Sequence, residues 1–388
     1  MTKLDRSIPV YEPVLGDAEL QAVIDCVDSG WISSRGENIT RFEAAIAEFV
    51  GFTNAIATSN GTTAIHLAMA ADTEMQDGLV LAPAHTYIAT VTPALHLGRA
   101  VHVLDVDPDT WMLSEQTVAD AQVALTGATI IGVDVYGTAM SPSVAEYVRA
   151  VGARFVSDSA EALGSFAGVQ HAGHGGHWTT LSFFGNKVLT TGEGGMLLTN
   201  SSELAESARK LRSQGLAAAG EYLHDEVGFN FRMTNVQAAI GLAQFSHFSV
   251  TLARKRALYE LYSTSLSAQF QRQQCDHPES QNRWMCAFLA PSETVKDRIR
   301  RALGEAKIET RPFFPPLSEQ PCLRGRITSE PTPVATDLSR RGFCLPSGSN
   351  LDAQSVERIV TIVNACLWPW LASIACPGSK SRISMRLR

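Results

Sequence analysis

The residues best suited to covalent chemistry are one lysine and its surroundings. The run Ser182-Phe183-Phe184-Gly185-Asn186-Lys187 is followed by Thr190-Thr191-Gly192-Glu193-Gly194-Gly195. An apolar strand pattern ends there, a turn follows, and the lysine sits at the turn. A lysine amine condenses with carbonyls, and desolvation that lowers its pKa raises its reactivity. Ser182, five residues earlier, could hydrogen-bond a phosphate while Lys187 reaches the aldehyde end of the same molecule. The glycines permit close approach of the backbone and positive φ. A surface lysine in an ordinary hairpin has the same spelling.

Four further stretches carry polar groups in suggestive places. Ser59-Asn60-Gly61-Thr62-Thr63-Ala64 opens a helical pattern, and a Gly-Thr-Thr turn at a helix N-terminus offers N–H groups and hydroxyls to an anion. Ser, Thr and Asn are also ordinary helix caps. In Val156-Ser157-Asp158-Ser159-Ala160-Glu161, Asp158 follows a buried-strand pattern. That is the carboxyl edge at which α/β sheets place ligands. A carboxylate there could pair with a protonated ring nitrogen, or simply cap the next turn. Tyr87, after Pro83 and Thr86, could stack on a flat ring or belong to a loop or core. Gly228-Phe229-Asn230-Phe231-Arg232-Met233-Thr234 precedes a helical pattern that Thr234 can cap. His171, His174 and His177 share a Gly-rich loop, but no Asp, Glu or Cys nearby completes a ligand set, and we expect no metal there.

The elements that must hold these groups alternate. Helical spacing is found over residues 17–29, 38–50, 88–97, 143–151, 204–211, 234–245 and 252–266. Short apolar runs over residues 79–81, 100–104, 129–135, 154–157, 179–184 and 195–199 read as buried strands. Such alternation predicts an α/β fold with a mixed, mostly parallel sheet. The expected division is a large domain over residues 16–248 and a smaller C-terminal α+β domain over 249–388, with residues 1–15 packing near the smaller one. The amphipathic stretch 252–266 would bridge them, and strand 284–289 and helix 294–303 would belong to the smaller.

A chain of 388 residues with 45% hydrophobic and 18% charged residues is expected to be globular. Its net charge of −7, with scattered Lys and Arg, argues against a nucleic-acid groove. The one basic run is the tail 380–388. No apolar stretch is long enough to span a bilayer and the N-terminus lacks a signal-peptide core, so a cytoplasmic protein is expected. Seven cysteines without a Cys-x-x-Cys pair fit reduced thiols.

Taken in order, the segments 29–34, 59–64, 158–161, 182–187, 190–195 and 228–234 resemble the nucleotide-sugar aminotransferases. Those enzymes form a pyridoxal-phosphate (PLP) family with an aspartate-aminotransferase-like fold. The resemblance runs from about residue 8 to about residue 362 and is closest to the perosamine-synthase branch. It implies that Lys187 holds PLP as a Schiff base and shuttles protons, while Asp158 binds the pyridine nitrogen. Tyr87 would stack on the ring, and Gly61, Thr62 and Ser182 would hold the phosphate. Asn230 would reach the phosphate of a second subunit, making a homodimer the working unit. Glu161 would help to order cofactor or substrate. Trp31, Ser33, Arg311 and Phe313 would lie near the substrate, a nucleotide-linked 4-keto-6-deoxy sugar, with glutamate as amino donor. Another keto sugar, a cyclitol or a natural-product ketone is the alternative acceptor. A sugar dehydratase of this fold would carry His in place of Lys187, and a non-catalytic PLP-binding regulator would not need the full set. The chain also departs from the family: Ser157 stands where a Glu is usual and Asp134 where a His is usual, His174 and His177 lie in a loop where relatives carry other residues, and the last twenty or so residues are unmatched.

Overall fold

The computed structural model describes residues 7–75, 77–217 and 222–368; the basic tail 380–388 and Cys376 lie outside them. Helices form where the apolar spacing demands them. α1 is Asp17–Ser29 and α2 is Glu37–Val50. α2 buries Phe42, Ile46 and Val50 along one stripe, the signature of a helix laid on a sheet. α3, Gly61–Ala71, is started by Asn60, whose side chain accepts from the Thr63 N–H, a capping box.

Thirteen short strands follow in chain order among the described residues: β1 Asn54–Thr58, β2 Val80–Pro83, β3 Val101–Leu104, β4 Thr129–Val133, β5 Arg154–Asp158, β6 Phe166–Ala167, β7 Gln170–His171, β8 Trp178–Ser182, β9 Gly195–Thr199, β10 Cys286–Leu289, β11 Arg311–Pro312, β12 Thr328–Ser329 and β13 Gly342–Leu345. Eight of them make one sheet in the order β1-β9-β8-β5-β4-β2-β3-β12. β9 runs antiparallel to both its neighbours, and the pairs from β8 to β12 are parallel. β2, β3 and β4 are buried along their whole length, as strands covered on both faces must be. The fold is therefore α/β with a mixed, mostly parallel sheet.

A second core joins β10, β13 and β11, an antiparallel sheet, to the helices Phe248–Ser265, Glu293–Glu305 and Ala353–Ala365. Tyr262, Phe288, Ile299, Leu303, Phe343 and Ile359 are all buried in it. The N-terminal arm touches this part: Ile8 bridges to Ile308, and Ser347 N–H donates to the Val10 carbonyl. The later chain also returns to the large sheet, where β12 extends its edge beside β3. Among the described residues no helix is long and apolar enough to cross a membrane.

Two elements differ from the pattern in the sequence. The helix expected over residues 88–97 is broken into a 3-10 turn, Ile88–Thr90, and a short helix, Thr92–His96. Pro93 lacks an N–H and fits only at the start of a helix, so it begins a new one. The strand expected over residues 129–135 stops at Val133, because the chain turns sharply at Tyr136, whose φ is 58°.

The histidine loop is occupied with structural hydrogen bonding. His171 Nε2 accepts from the Gly164 N–H at 2.9 Å and its Nδ1 donates to the Ala172 carbonyl. His177 Nδ1 accepts from the Phe155 N–H at 3.0 Å, and His174 packs on Phe52. Burial pushes His171 down to about 4, so its ring is neutral at physiological pH. His171→Ala should cost about 1–3 kcal/mol by leaving a buried N–H without an acceptor, read as a lower denaturation midpoint. Stripping metals with a chelator should leave both that midpoint and activity unchanged; a loss restored by zinc would contradict this account.

Candidate active site

The chemistry-bearing segments converge because four parallel-sheet strands end at one edge. Pro83 ends β2, Val133 ends β4, Asp158 ends β5 and Ser182 ends β8. Loops leaving that edge enclose a cavity of about 450 Å3. Gly61, Thr62, Tyr87, Asp158, Glu161, Ser182, Lys187 and Arg311 line it. A larger cleft of about 1210 Å3 lies elsewhere, along Arg256, Tyr259, Arg283 and Arg341. Its arginines are already engaged. Arg256 donates to the Gly164, Ser280 and Gln281 carbonyls, Arg283 lies over the Tyr259 ring, and Arg341 pairs with Asp337. The cavity at the strand ends is the one that gathers reactive groups.

One end of this cavity is built for an anion. The first-turn amides of Gly61 and Thr62 stand ahead of the helical ladder of α3. A Cβ at Gly61 would come 3.0 Å from the Ser182 Cβ, so glycine lets Ser182 close on the helix start. A Cβ at Gly195 would strike the Asn60 backbone at 2.4 Å, and its absence lets β9 support that turn.

The other end is charged and buried. Lys187 Nζ lies 3.6 Å from Glu161 Oε1, and Glu161 Oε2 accepts from the Tyr136 N–H at 2.7 Å. Asp158 accepts from Thr90 Oγ1 at 2.8 Å, and Thr90 meets Thr86 at 2.8 Å. Burial pushes the Asp158 carboxyl up, opposed by Thr90, the Ala160 N–H and Lys187. Burial likewise raises Glu161 to about 7, opposed by Lys187 and the Tyr136 N–H. It lowers Lys187, against the pull of Glu161 and Asp158. Burial thus moves the two groups towards each other in proton affinity, the amine downwards and the Glu161 carboxyl upwards.

The remaining expected residues lie elsewhere. Asn230 is exposed, accepts from Arg232 and does not line this chain's own cavity. Trp31 is exposed and Ser33 lies beside it; both are outside the cavity, and their carbonyls receive N–H groups of Asn235. Phe313 is a core residue, 1% exposed, against Tyr136 and Trp111. Its neighbour Phe314 faces the cavity instead, 5.9 Å from Tyr87. The two adjacent rings, just after β11, thus divide between core and site.

Sequence reasoning missed Thr90, Asn186 and Trp284. Thr90 had a signal, since it stands four residues after Thr86, one helical turn away. Trp284 had none: its indole N–H donates to the Asn186 carbonyl at 2.7 Å from 98 positions along the chain. Two of the departures from the family meet in space. Ser157 and Ser159 both donate to Asp134 Oδ2, beneath Asp158. Burial pushes Asp134 up to about 6, and these hydroxyls with the Met140 N–H hold it from rising further.

The donor set fits PLP: an anion cradle at one end, an amine at the other, and a buried carboxylate between flanking polar groups. Asn186 Oδ1 is buried without a partner beside Lys187, an acceptor aimed into the same space.

Comparison with known proteins agrees. The DegT/DnrJ/EryC1/StrS aminotransferase family profile matches residues 13–364. The GDP-perosamine synthase of Escherichia coli O157:H7 is 36% identical, covering 92% of this chain and 98% of that one. EpsN of Bacillus subtilis strain 168, provisionally named a pyridoxal phosphate-dependent aminotransferase, is 31% identical over 93% of this chain and 96% of its own. The solved aminotransferase TlmJ from Streptoalloteichus hindustanus superposes with a TM-score of 0.86 at 27% identity, covering 93% of this chain and 99% of that one. Family, fold and cofactor chemistry thus point the same way, and the chain belongs to the DegT/DnrJ/EryC1/StrS aminotransferase family as a PLP-dependent sugar aminotransferase.

Proposed function

We propose that this enzyme takes an amino group from glutamate and delivers it to the keto carbon of a nucleotide-linked 4-keto-6-deoxy sugar, as a perosamine synthase does. The observation that carries the reaction type is the Lys187 amine, 3.6 Å from Glu161 in a cavity that Asp158, Gly61, Thr62 and Ser182 also line. Support for the sugar is the 36% identity to a GDP-perosamine synthase across nearly the whole of both chains.

In this reading Gly61, Thr62 and Ser182 hold the cofactor's phosphate, Tyr87 covers its ring, and Asp158 keeps the ring nitrogen protonated. Bound there, the cofactor supplies an electron-withdrawing ring that accepts the charge left when a C–H bond beside nitrogen is broken. Lys187 Nζ is the base that takes that proton and later returns it, so it must be neutral at the start. Its depressed pKa, a consequence of burial, serves that need. Thr90 fixes the Asp158 carboxylate, and Tyr136 N–H fixes Glu161. Arg311 and Phe314 stand at the cavity wall, where the sugar nucleotide would enter.

The same reading makes a homodimer the working unit. Leu20, Ile24, Val27 and Trp31 form an exposed apolar stripe along and just beyond α1, at helical spacing. Covering it with a second copy would bring Trp31 and Ser33 to the interface. Asn230, turned away from its own cavity, would then complete the partner's phosphate site.

Two measurements test this. Incubation with glutamate and a panel of nucleotide-linked keto sugars, read by mass spectrometry, should give an amino sugar from a 4-keto-6-deoxy hexose. Borohydride should fix the cofactor on the Lys187 peptide, and Lys187→His should abolish amination while retaining weaker cofactor binding. Release of a deoxygenated sugar, or amination only of a cyclitol or other ketone, would overturn the substrate assignment. For the shared site, Lys187→Ala and Asn230→Ala proteins should each be impaired alone. Mixed, they should regain about a quarter of wild-type activity, since half the dimers are hybrids with one intact site. No recovery on subunit exchange would remove Asn230 from the partner's site.

A further inference from the structure

Trp284 stands outside every motif that marks this site, yet its ring lies against Lys187 Nζ. Nζ lies 3.9 Å from the ring centroid and 3.6 Å from Glu161 Oε1. Trp284 is 5% exposed and held at three points, one through the indole and two through its backbone. Its own N–H donates to the Asn186 carbonyl at 2.7 Å, tying it to the turn that carries the lysine. Its backbone N–H donates to Asn282 Oδ1 at 2.8 Å, and the Asn282 amide in turn donates to the Glu161 carbonyl. Its backbone carbonyl accepts from Lys255 Nζ at 2.7 Å, a lysine with no exposed surface. A fourth tie reaches the lysine itself, since Tyr11 OH donates to the Lys187 carbonyl at 2.9 Å. This is far more fixing than a wall residue needs.

The face of an indole attracts a cation and gives nothing to a neutral amine, and desolvation strengthens the attraction. We propose that Trp284 is a catalytic residue: its ring, opposite the Glu161 carboxylate, forms the cradle in which Lys187 rests as an ammonium while it is free of the cofactor and carries the proton taken from the donor carbon. The proposal rests on the aminotransferase reading, but not on any particular sugar or donor. The proton balance is simple. Neutral Nζ gains one proton from carbon, is held against Trp284 and Glu161, and gives the proton up again, returning as an amine.

The groups facing Nζ make the cradle necessary. Asp158 at the end of β5 and Glu161 after it favour the ammonium, Arg311 on β11 opposes it, and burial opposes it most. A base that could not hold its proton here would return it at once to the carbon it came from. The ring offers stabilisation without adding a further carboxylate to a cavity that already contains two.

The test uses the full chain saturated with pyridoxamine 5′-phosphate, which fills the cofactor site without forming a bond to Lys187. Competitive labelling of Lys187 by acetic anhydride, followed by mass spectrometry across pH, gives the pH at which half the amine is free. Trp284→Leu should lower that pH by about one, and Trp284→Phe by less. Glu161→Gln should lower it as well. A ring that merely excluded water would behave oppositely, because Trp284→Leu would admit water and raise the value. Where the leucine protein does not fold, biosynthetic 5-fluoro- and 5,7-difluorotryptophan weaken the ring's attraction without changing its shape. The labelling pH should then fall stepwise with fluorine content. No shift on fluorination, or a rise in Trp284→Leu, overturns the cradle; either result leaves the substrate assignment untouched.

Discussion

Everything in this molecule turns on burying one amine beside two carboxylates. Lys187, Asp158 and Glu161 are all shielded from water, and each is pushed by burial towards its neutral form. An unpaired charge in such a place is costly, so the three can coexist only as a mutually supporting set with hydrogen bonds to spare. Thr90, Tyr136 N–H and Ala160 N–H supply those bonds. The arrangement still leans negative, which suits a cofactor with a basic ring nitrogen. The same burial lowers the proton affinity of the amine and raises that of Glu161.

The fold meets that constraint by collecting strand ends. A parallel sheet brings the carboxyl ends of successive strands to one edge, where the loops are free to carry function because the strands beneath are rigid. Yet the sheet supplies only the floor. Trp284, Arg311 and Phe314 come from the chain after the helix Phe248–Ser265, and Tyr11 comes from the N-terminal arm. The buried Lys255 on that helix joins the Trp284 and Ser347 carbonyls, so the walls of the site are clamped to the second core. Cavity shape and the packing between the two cores are therefore one problem. A loosened core would show itself as a misplaced Lys187.

Two of the departures from the family deserve reading as a pair. A His and a Glu are usual where Asp134 and Ser157 stand, and these two residues are hydrogen-bonded here, with Ser159 as a third member. Asp134 also receives the Met140 N–H and its own N–H donates to the Asp158 carbonyl. An acid and two hydroxyls thus form a filled network under Asp158.

How much of this was legible beforehand follows from the range of the forces involved. The alternating strands and helices, the Asn60 cap, the Lys187 turn and the aspartate at a strand end are local patterns, set by apolar spacing and turn chemistry within a few residues. They were readable in the chain, and with them the α/β class; the reaction type came through the resemblance those segments carry in their order. Pro93 broke a helix that periodicity alone had joined, and Tyr136 ended a strand two residues early, because backbone sterics overrule apolar pattern. Phe313 and Phe314 could not be told apart, since they follow β11 in irregular chain whose course is set by tertiary packing. Trp284, Thr90 and the Asp134–Ser157–Ser159 cluster were decided only by packing. Their partners lie far away in sequence, and burial, which sets both their contacts and the pKa of Lys187, is a property of the folded whole.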